Sequence, residues 1–237
     1  MNIAIVFAGG SGVRMGAAVP KQFLEIDGRT VLAWTLDLFE SHPEVDGIVI
    51  VAQPENFARI EAICRDAGVR KVVKLCAGGE TAQDSIYNGL MACAALYPPE
   101  TVVLLHDGVR PYVGADVISR NIAAAKEFGS AVTITPCYET IVISSDGATI
   151  DSMPRRAESY TAQAPQSFRL GEVLAAHEEI RKRPARYTDM VDQATIFKTL
   201  GRPVRLVEGS RGNIKVTTPE DLAMLRALLH LKKELGQ

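Results

Sequence analysis

Ile3-Ala4-Ile5-Val6-Phe7-Ala8-Gly9-Gly10-Ser11-Gly12-Val13-Arg14-Met15-Gly16 is the stretch on which the fold turns. A short, unbroken apolar run that stops at glycines reads as a strand buried on both faces. Further β-branched runs follow at 47–52, 72–76, 101–105 and 131–135. Between them, 31–40 places Leu32, Leu36 and Phe39 at helical spacing, and 56–67, 85–97 and 117–128 also read as helices. Continuous apolar strands alternating with amphipathic helices predict an α/β sandwich with a mainly parallel sheet and right-handed crossovers. The alternation breaks after residue 135. Runs at 139–144 and 149–153 flank Ser145-Asp146-Gly147-Ala148, a hairpin signal, and predict a protruding β-hairpin arm at about 137–161. Beyond it, 170–181 and 190–200 read as helices and 203–207 as a strand. The last helix has Thr218 as its N-cap, Pro219 at the first helical position and Asp221 three residues after the cap.

Composition narrows the function classes. The 237 residues carry 26 Lys+Arg against 28 Asp+Glu, a formal net charge of −2, with 47% hydrophobic residues. That is ordinary globular composition, and it argues against a broad nucleic-acid-binding face. No apolar run reaches the roughly 20 residues of a membrane span. Cys64, Cys76, Cys93 and Cys137 lack C-x-x-C spacing, and His42, His106, His177 and His230 are equally dispersed, so spacing offers no zinc site. With no basic segment ahead of the first apolar run, these features predict a cytoplasmic protein.

In open parallel sheets, ligands bind beyond the carboxyl ends of the strands, which directs attention to the first loop. Its glycines fit neither G-x-G-x-x-G, since Met15 falls at the last position counted from Gly10, nor the P-loop, since no Gly-Lys-Ser/Thr occurs. What remains is a glycine loop followed by two cations, Arg14 and Lys21. Backbone N–H groups and fixed cations suit a triphosphate. The residues alone equally allow a tight strand–helix turn with two solvated basic side chains.

Here a resemblance enters. GGSGVRMG at 9–16 and PKQFLEIDGRTVLAWTLDLF at 20–39 resemble the opening of sugar-phosphate nucleotidyltransferases. More narrowly they are similar to the cytidylyltransferases that activate methylerythritol 4-phosphate or ribitol 5-phosphate with CTP. Later segments agree: Gly78-Gly79-Glu80-Thr81-Ala82-Gln83-Asp84-Ser85, His106-Asp107-Gly108-Val109-Arg110-Pro111, and Asn213-Ile214-Lys215-Val216-Thr217. The resemblance implies one Rossmann-like nucleotidyltransferase domain over 1–237, with the arm at 137–161 crossing to a partner in a homodimer. It implies that Ala8, Gly9, Gly10, Ser11 and Gly12 cradle the triphosphate of CTP, and that Gly78, Gly79, Asp84 and Ser85 read cytosine and ribose. Arg14, Lys21 and Lys215 would be the catalytic cations. Asp107, Arg110, Thr140 and Arg156 would bind the acceptor, with Arg156 reaching in from the partner and Asp107 also helping to hold Mg²⁺. Two departures stand out, Ala82 where the family usually has Arg and Ala164 where it has Thr.

The implied reaction is attack of an acceptor phosphate oxygen on the α-phosphorus of CTP, with pyrophosphate leaving. Methylerythritol enzymes usually carry Asp-Thr-x-Lys in the arm, whereas Glu139-Thr140-Ile141-Val142 is closer to the ribitol-phosphate pattern. Ribitol 5-phosphate is therefore the expected acceptor, with methylerythritol 4-phosphate as the alternative. A sugar-1-phosphate transferase using another nucleotide and a non-catalytic nucleotide-binding subunit are the rival classes. Arg181-Lys182-Arg183 reads as a solvated helix end.

Overall fold

The computed structural model describes residues 1–9, 19–183, 187 and 190–234. Gly10, Ser11, Gly12 and Arg14 lie outside the described residues. In chain order the elements are β1 (Asn2–Phe7), β2 (Glu25–Ile26), β3 (Arg29–Thr30), α1 (Val31–Glu40), β4 (Gly47–Ala52), α2 (Phe57–Asp66), β5 (Val72–Ala77) and α3 (Ala82–Ala94). They continue with β6 (Val102–Asp107), α4 (Ala115–Phe128), β7 (Ser130–Pro136), β8 (Tyr160–Arg169), α5 (Leu170–Arg181), α6 (Gln193–Thr199), β9 (Arg205–Glu208) and α7 (Pro219–Glu234).

Seven strands form one sheet in the order β5-β4-β1-β6-β8-β7-β9. β1 pairs parallel with β4 and β6, and β4 with β5. β8 alone runs antiparallel, wedged between β6 and β7. The α/β expectation therefore holds; the strand of this sheet missing from the sequence reading is β8, and the short β2–β3 pair is missing from it as well.

Both faces of the sheet's central strands are dry because successive side chains on a strand point opposite ways. On β1, Ala4 and Val6 join Leu36, Phe39, Ile60 and Ile118 on one face. Ile3 and Ile5 join Leu90, Phe168, Ile180 and Phe197 on the other. The last helix docks separately, Leu225 and Leu229 packing with Ile26, Val31, Val109 and Val216. Its start matches the expected capping box: Thr218 Oγ1 accepts from the Asp221 N–H, and Asp221 Oδ2 accepts from the N–H groups of Thr217 and Thr218.

The arm differs from expectation. The Asp146 turn forms, its carboxylate accepting from the N–H groups of Ala148 and Thr149 and from the Thr149 hydroxyl. No ladder extends from it, however; a single antiparallel bridge joins Ile143 and Ser152. Two short runs with no third strand or helix to pack on hold little structure in water. Accordingly Val142, Ile143, Ile150 and Met153 are exposed, at 50–60%.

Candidate active site

Strand order reverses beside β1, so a crevice opens where the carboxyl ends of β1, β4 and β6 diverge. A cavity of about 680 Å³ occupies it. Its floor is Ala8 and Gly9 after β1, Gln53 after β4, and Asp107 at the end of β6. Lys21 enters from a short turn of 3-10 helix, Lys21–Phe23, anchored by the Gln22 side-chain amide donating to the Ala8 carbonyl (2.9 Å) and by buried Phe23. A further wall is the loop Gly78-Gly79 leading into α3, with Thr81 as N-cap accepting from the Asp84 N–H (3.0 Å). A Cβ on Gly79 would overlap Asp84, so only glycine lets the loop lie this close to the helix.

Lys215 closes the far side. Its Nζ lies 2.7 Å from Asp107 Oδ1, while Arg110 Nε lies 2.8 Å from Asp107 Oδ2. Arg110 also donates to the Asn213 carbonyl (2.8 Å), tying the two loops. Gly108 permits this turn, its N–H donating to the Phe7 carbonyl (2.8 Å) where a side chain would strike that oxygen. Burial pushes the Asp107 carboxyl up, but Lys215 and Arg110 outweigh it and hold the group at about 2. Asp107 thus keeps two cations side by side at the cavity wall.

His106 is buried and pushed down to about 4 by desolvation, so it is neutral. Its Nε2 pairs with the Arg110 carbonyl (3.0 Å) and its ring packs edge-on against Phe39. This is a hydrogen-bonding and packing role.

Ala8, Gly9, Gly78, Gly79, Ser85, Lys21, Asp107, Arg110 and Lys215, singled out in the sequence, converge on the one cavity. Asp84 is not part of its lining and turns instead to Arg181, 2.9 Å away. The Thr81 hydroxyl holds the Asp84 carboxyl below its usual range; burial opposes this and Arg181 adds to it. Thr140 and Arg156 are exposed in the arm and line neither this cavity nor the adjoining one beside the arm. The sequence reading passed over Gln53 and Asp192. Gln53 sits at a strand's carboxyl end, a position that itself was the usable signal. Asp192 caps α6 and accepts from the Gln166 side-chain amide (2.9 Å), a contact across 26 residues that spacing does not reveal.

Among the described residues no group of three or more His, Cys, Asp or Glu could enclose a metal ion. Asp107, at the end of β6, lines the cavity with Gly9, and each of its oxygens already faces a cation. Such a donor set fits Mg²⁺ that arrives on substrate phosphates rather than a protein cage.

A mainly parallel sheet with Gly9 and the Gly78-Gly79 turn at its switch point, and with Lys21, Arg110 and Lys215 gathered in the same cavity, is the arrangement of a nucleotidyltransferase site. The family model for IspD, 2-C-methyl-D-erythritol 4-phosphate cytidylyltransferase, matches residues 2–231, and the chain belongs to this cytidylyltransferase family. It is 39% identical over 229 residues to a ribitol-5-phosphate cytidylyltransferase of Streptococcus agalactiae serotype III, covering 96% of this chain and 95% of that one. It is also 39% identical over 231 residues to a 2-C-methyl-D-erythritol 4-phosphate cytidylyltransferase of Geobacter metallireducens, covering 97% of each. Its fold is similar to the crystal structure of a 4-diphosphocytidyl-2C-methyl-D-erythritol synthase from Anaerococcus prevotii, with a TM-score of 0.80, 30% identity, and coverage of 97% and 96%.

Proposed function

We propose that this enzyme transfers CMP from CTP to ribitol 5-phosphate, releasing pyrophosphate and forming a CDP-polyol. The observation that carries the reading is the Lys215–Asp107–Arg110 cluster facing the Gly9 floor and Lys21 across one cavity. The acceptor phosphate oxygen attacks the α-phosphorus, a new P–O bond forms, and the bond to the bridging oxygen of pyrophosphate breaks. Both reactants are anionic, and the acceptor oxygen is already ionised, so the demand is for positioning and charge stabilisation rather than a general base. Lys21 and Lys215, with Arg14 from the glycine loop, meet the charge that grows on the α-phosphate. Arg110 takes the acceptor phosphate, and Asp107 keeps Arg110 and Lys215 oriented. Mg²⁺ arriving on the triphosphate, with Asp107 helping to hold it, would supply further charge neutralisation.

The choice of ribitol 5-phosphate rests on Glu139-Thr140-Ile141-Val142, where a lysine is absent from the last position. The second reading, methylerythritol 4-phosphate, has relatives of similar identity in its favour. A comparison of kcat/KM for the two acceptors separates them, and we expect at least a tenfold preference for ribitol 5-phosphate, about 1.4 kcal/mol in transition-state binding. A tenfold preference the other way establishes the second reading.

The arm belongs to this reading as a dimer contact through which Thr140 and Arg156 complete acceptor pockets. Tyr138, Val142, Ile143, Ile150, Met153 and Tyr160 are 46–60% exposed along it, an apolar surface suited to a second copy of the chain. A cytoplasmic setting is supported by four free cysteines, two of which, Cys64 and Cys93, burial pushes up to about 11 and about 12. No described helix is long and apolar enough to cross a membrane.

A further inference from the structure

We infer that Arg181, remote in sequence from the nucleotide loop, is a positioning residue that sets the shape of that loop through Asp84. The inference rests on the CTP reading above and extends it to a residue outside the cavity lining.

Arg181 ends α5, and its guanidinium carbon lies 4.4 Å from the Tyr87 ring centroid and 5.0 Å from that of Tyr187. Held between two rings, the planar group presents Nη1 to Asp84 Oδ1 at 2.9 Å and to the Tyr187 hydroxyl at 3.0 Å. The other Asp84 oxygen, Oδ2, accepts from the Thr81 hydroxyl (2.7 Å), whose oxygen in turn accepts from the Asp84 N–H. Ser85 continues the chain, its hydroxyl donating to the Thr81 carbonyl (3.0 Å) and accepting from the Gly79 N–H (3.0 Å). A continuous series of polar contacts therefore runs from Arg181 through Asp84, Thr81 and Ser85 to Gly79.

The loop needs such support. Gly78 and Gly79 follow β5, one of the two edge strands of the sheet, whose pairing with β4 is irregular between Ile48 and Val49. One side of that strand has no neighbour, so the sheet restrains the loop from one direction only. Gly79 also packs directly against Asp84, and a displaced Asp84 moves the backbone that lines the cavity. Arg181 reaches none of the cavity wall itself. Its effect falls on nucleotide affinity rather than on the chemical step.

Steady-state kinetics with CTP varied at saturating acceptor, and then the reverse, test this. Arg181→Ala raises KM for CTP about tenfold while kcat and the acceptor KM stay within about twofold. Asp84→Asn also raises KM for CTP, and the double variant is no worse than the worse single one, because both act through one contact. Arg181→Lys, which keeps the charge but lacks the planar face between the tyrosines, falls between. An unchanged CTP KM in Arg181→Ala overturns the inference, as does a parallel fall of kcat and both affinities that tracks the melting temperature. Should wild-type enzyme fail to turn over CTP, the proposed activity falls and calorimetric binding of CTP decides the present point. Tenfold weaker binding to Arg181→Ala sustains it, and equal affinity or no binding to either protein overturns it.

Discussion

Lys215→Ala lowers kcat by about 10²–10³ with CTP and Mg²⁺, the loss expected when one preorganised charge is removed from a site where negative charge grows. The fold survives the change. Lys215 is 41% exposed, so its ion pair with Asp107 contributes at most about 1 kcal/mol to stability, and Arg110 continues to hold the other carboxylate oxygen. Lys215→Arg, which keeps a cation but not its compact shape, recovers part of the rate. The variant also has an acid signature. The Asp107 carboxyl lies at about 2 against an ordinary 3.8, a depressed value. Its ion pairs therefore stabilise the fold fully above about pH 4, and that contribution fades as pH falls toward 2. Without Lys215 the carboxyl protonates at higher pH, and acid unfolding follows it upward. Unaltered kcat in a folded Lys215→Ala protein, or a rate loss matched by loss of folded protein, contradicts this role.

Phe168→Ala has the largest expected effect on stability, about 3–5 kcal/mol. Phe168 is fully buried in β8, opposite Val103 on β6 and Ser130 on β7, with the Phe197 ring centroid 4.7 Å away. The lost volume lies where three strands meet α5 and α6, which leaves little room for collapse. For a chain of this size the melting temperature drops by roughly 6–20 °C. At temperatures where the variant remains folded, CTP turnover stays near that of the wild type, since Phe168 does not line the cavity. A loss below about 1 kcal/mol in denaturant unfolding contradicts the packing account.

β8 also shows where sequence reading reached its limit. β1, β4 and β6 carry continuous apolar runs and β7 a β-branched one, all buried on both faces, and that pattern is unambiguous. In Ala162-Gln163-Ala164-Pro165-Gln166-Ser167-Phe168 the proline and the polar side chains suppress the strand signal. The sheet accommodates them by an irregularity: Val132 pairs with Gln166 and Thr133 with Gln163, leaving Ala164 and Pro165 without partners in the ladder. The Thr133 hydroxyl satisfies the Pro165 carbonyl (2.7 Å), a contact made across 32 residues.

The same division runs through the site. Gly9 is legible because topology places every parallel strand's carboxyl end on one edge, whereas Asp107 and the Gly78-Gly79 pair are legible through the resemblance their segments carry. The Asp-Gly turn in the arm was legible as a turn, but whether a ladder grows from it depends on what packs against the flanking runs. Arg181 sat in a basic triplet that reads as solvated, and its partner Asp84 lies 97 residues away. Local pattern carries no information about such a pair.

The most direct test of the central claim is pyrophosphate release by the purified chain with CTP, Mg²⁺ and ribitol 5-phosphate, with each component omitted in turn. The site predicts release that requires both CTP and the acceptor, accompanied by a product with the mass of CDP-ribitol. No release with CTP and either ribitol 5-phosphate or methylerythritol 4-phosphate, or faster release with UTP or dTTP, contradicts it.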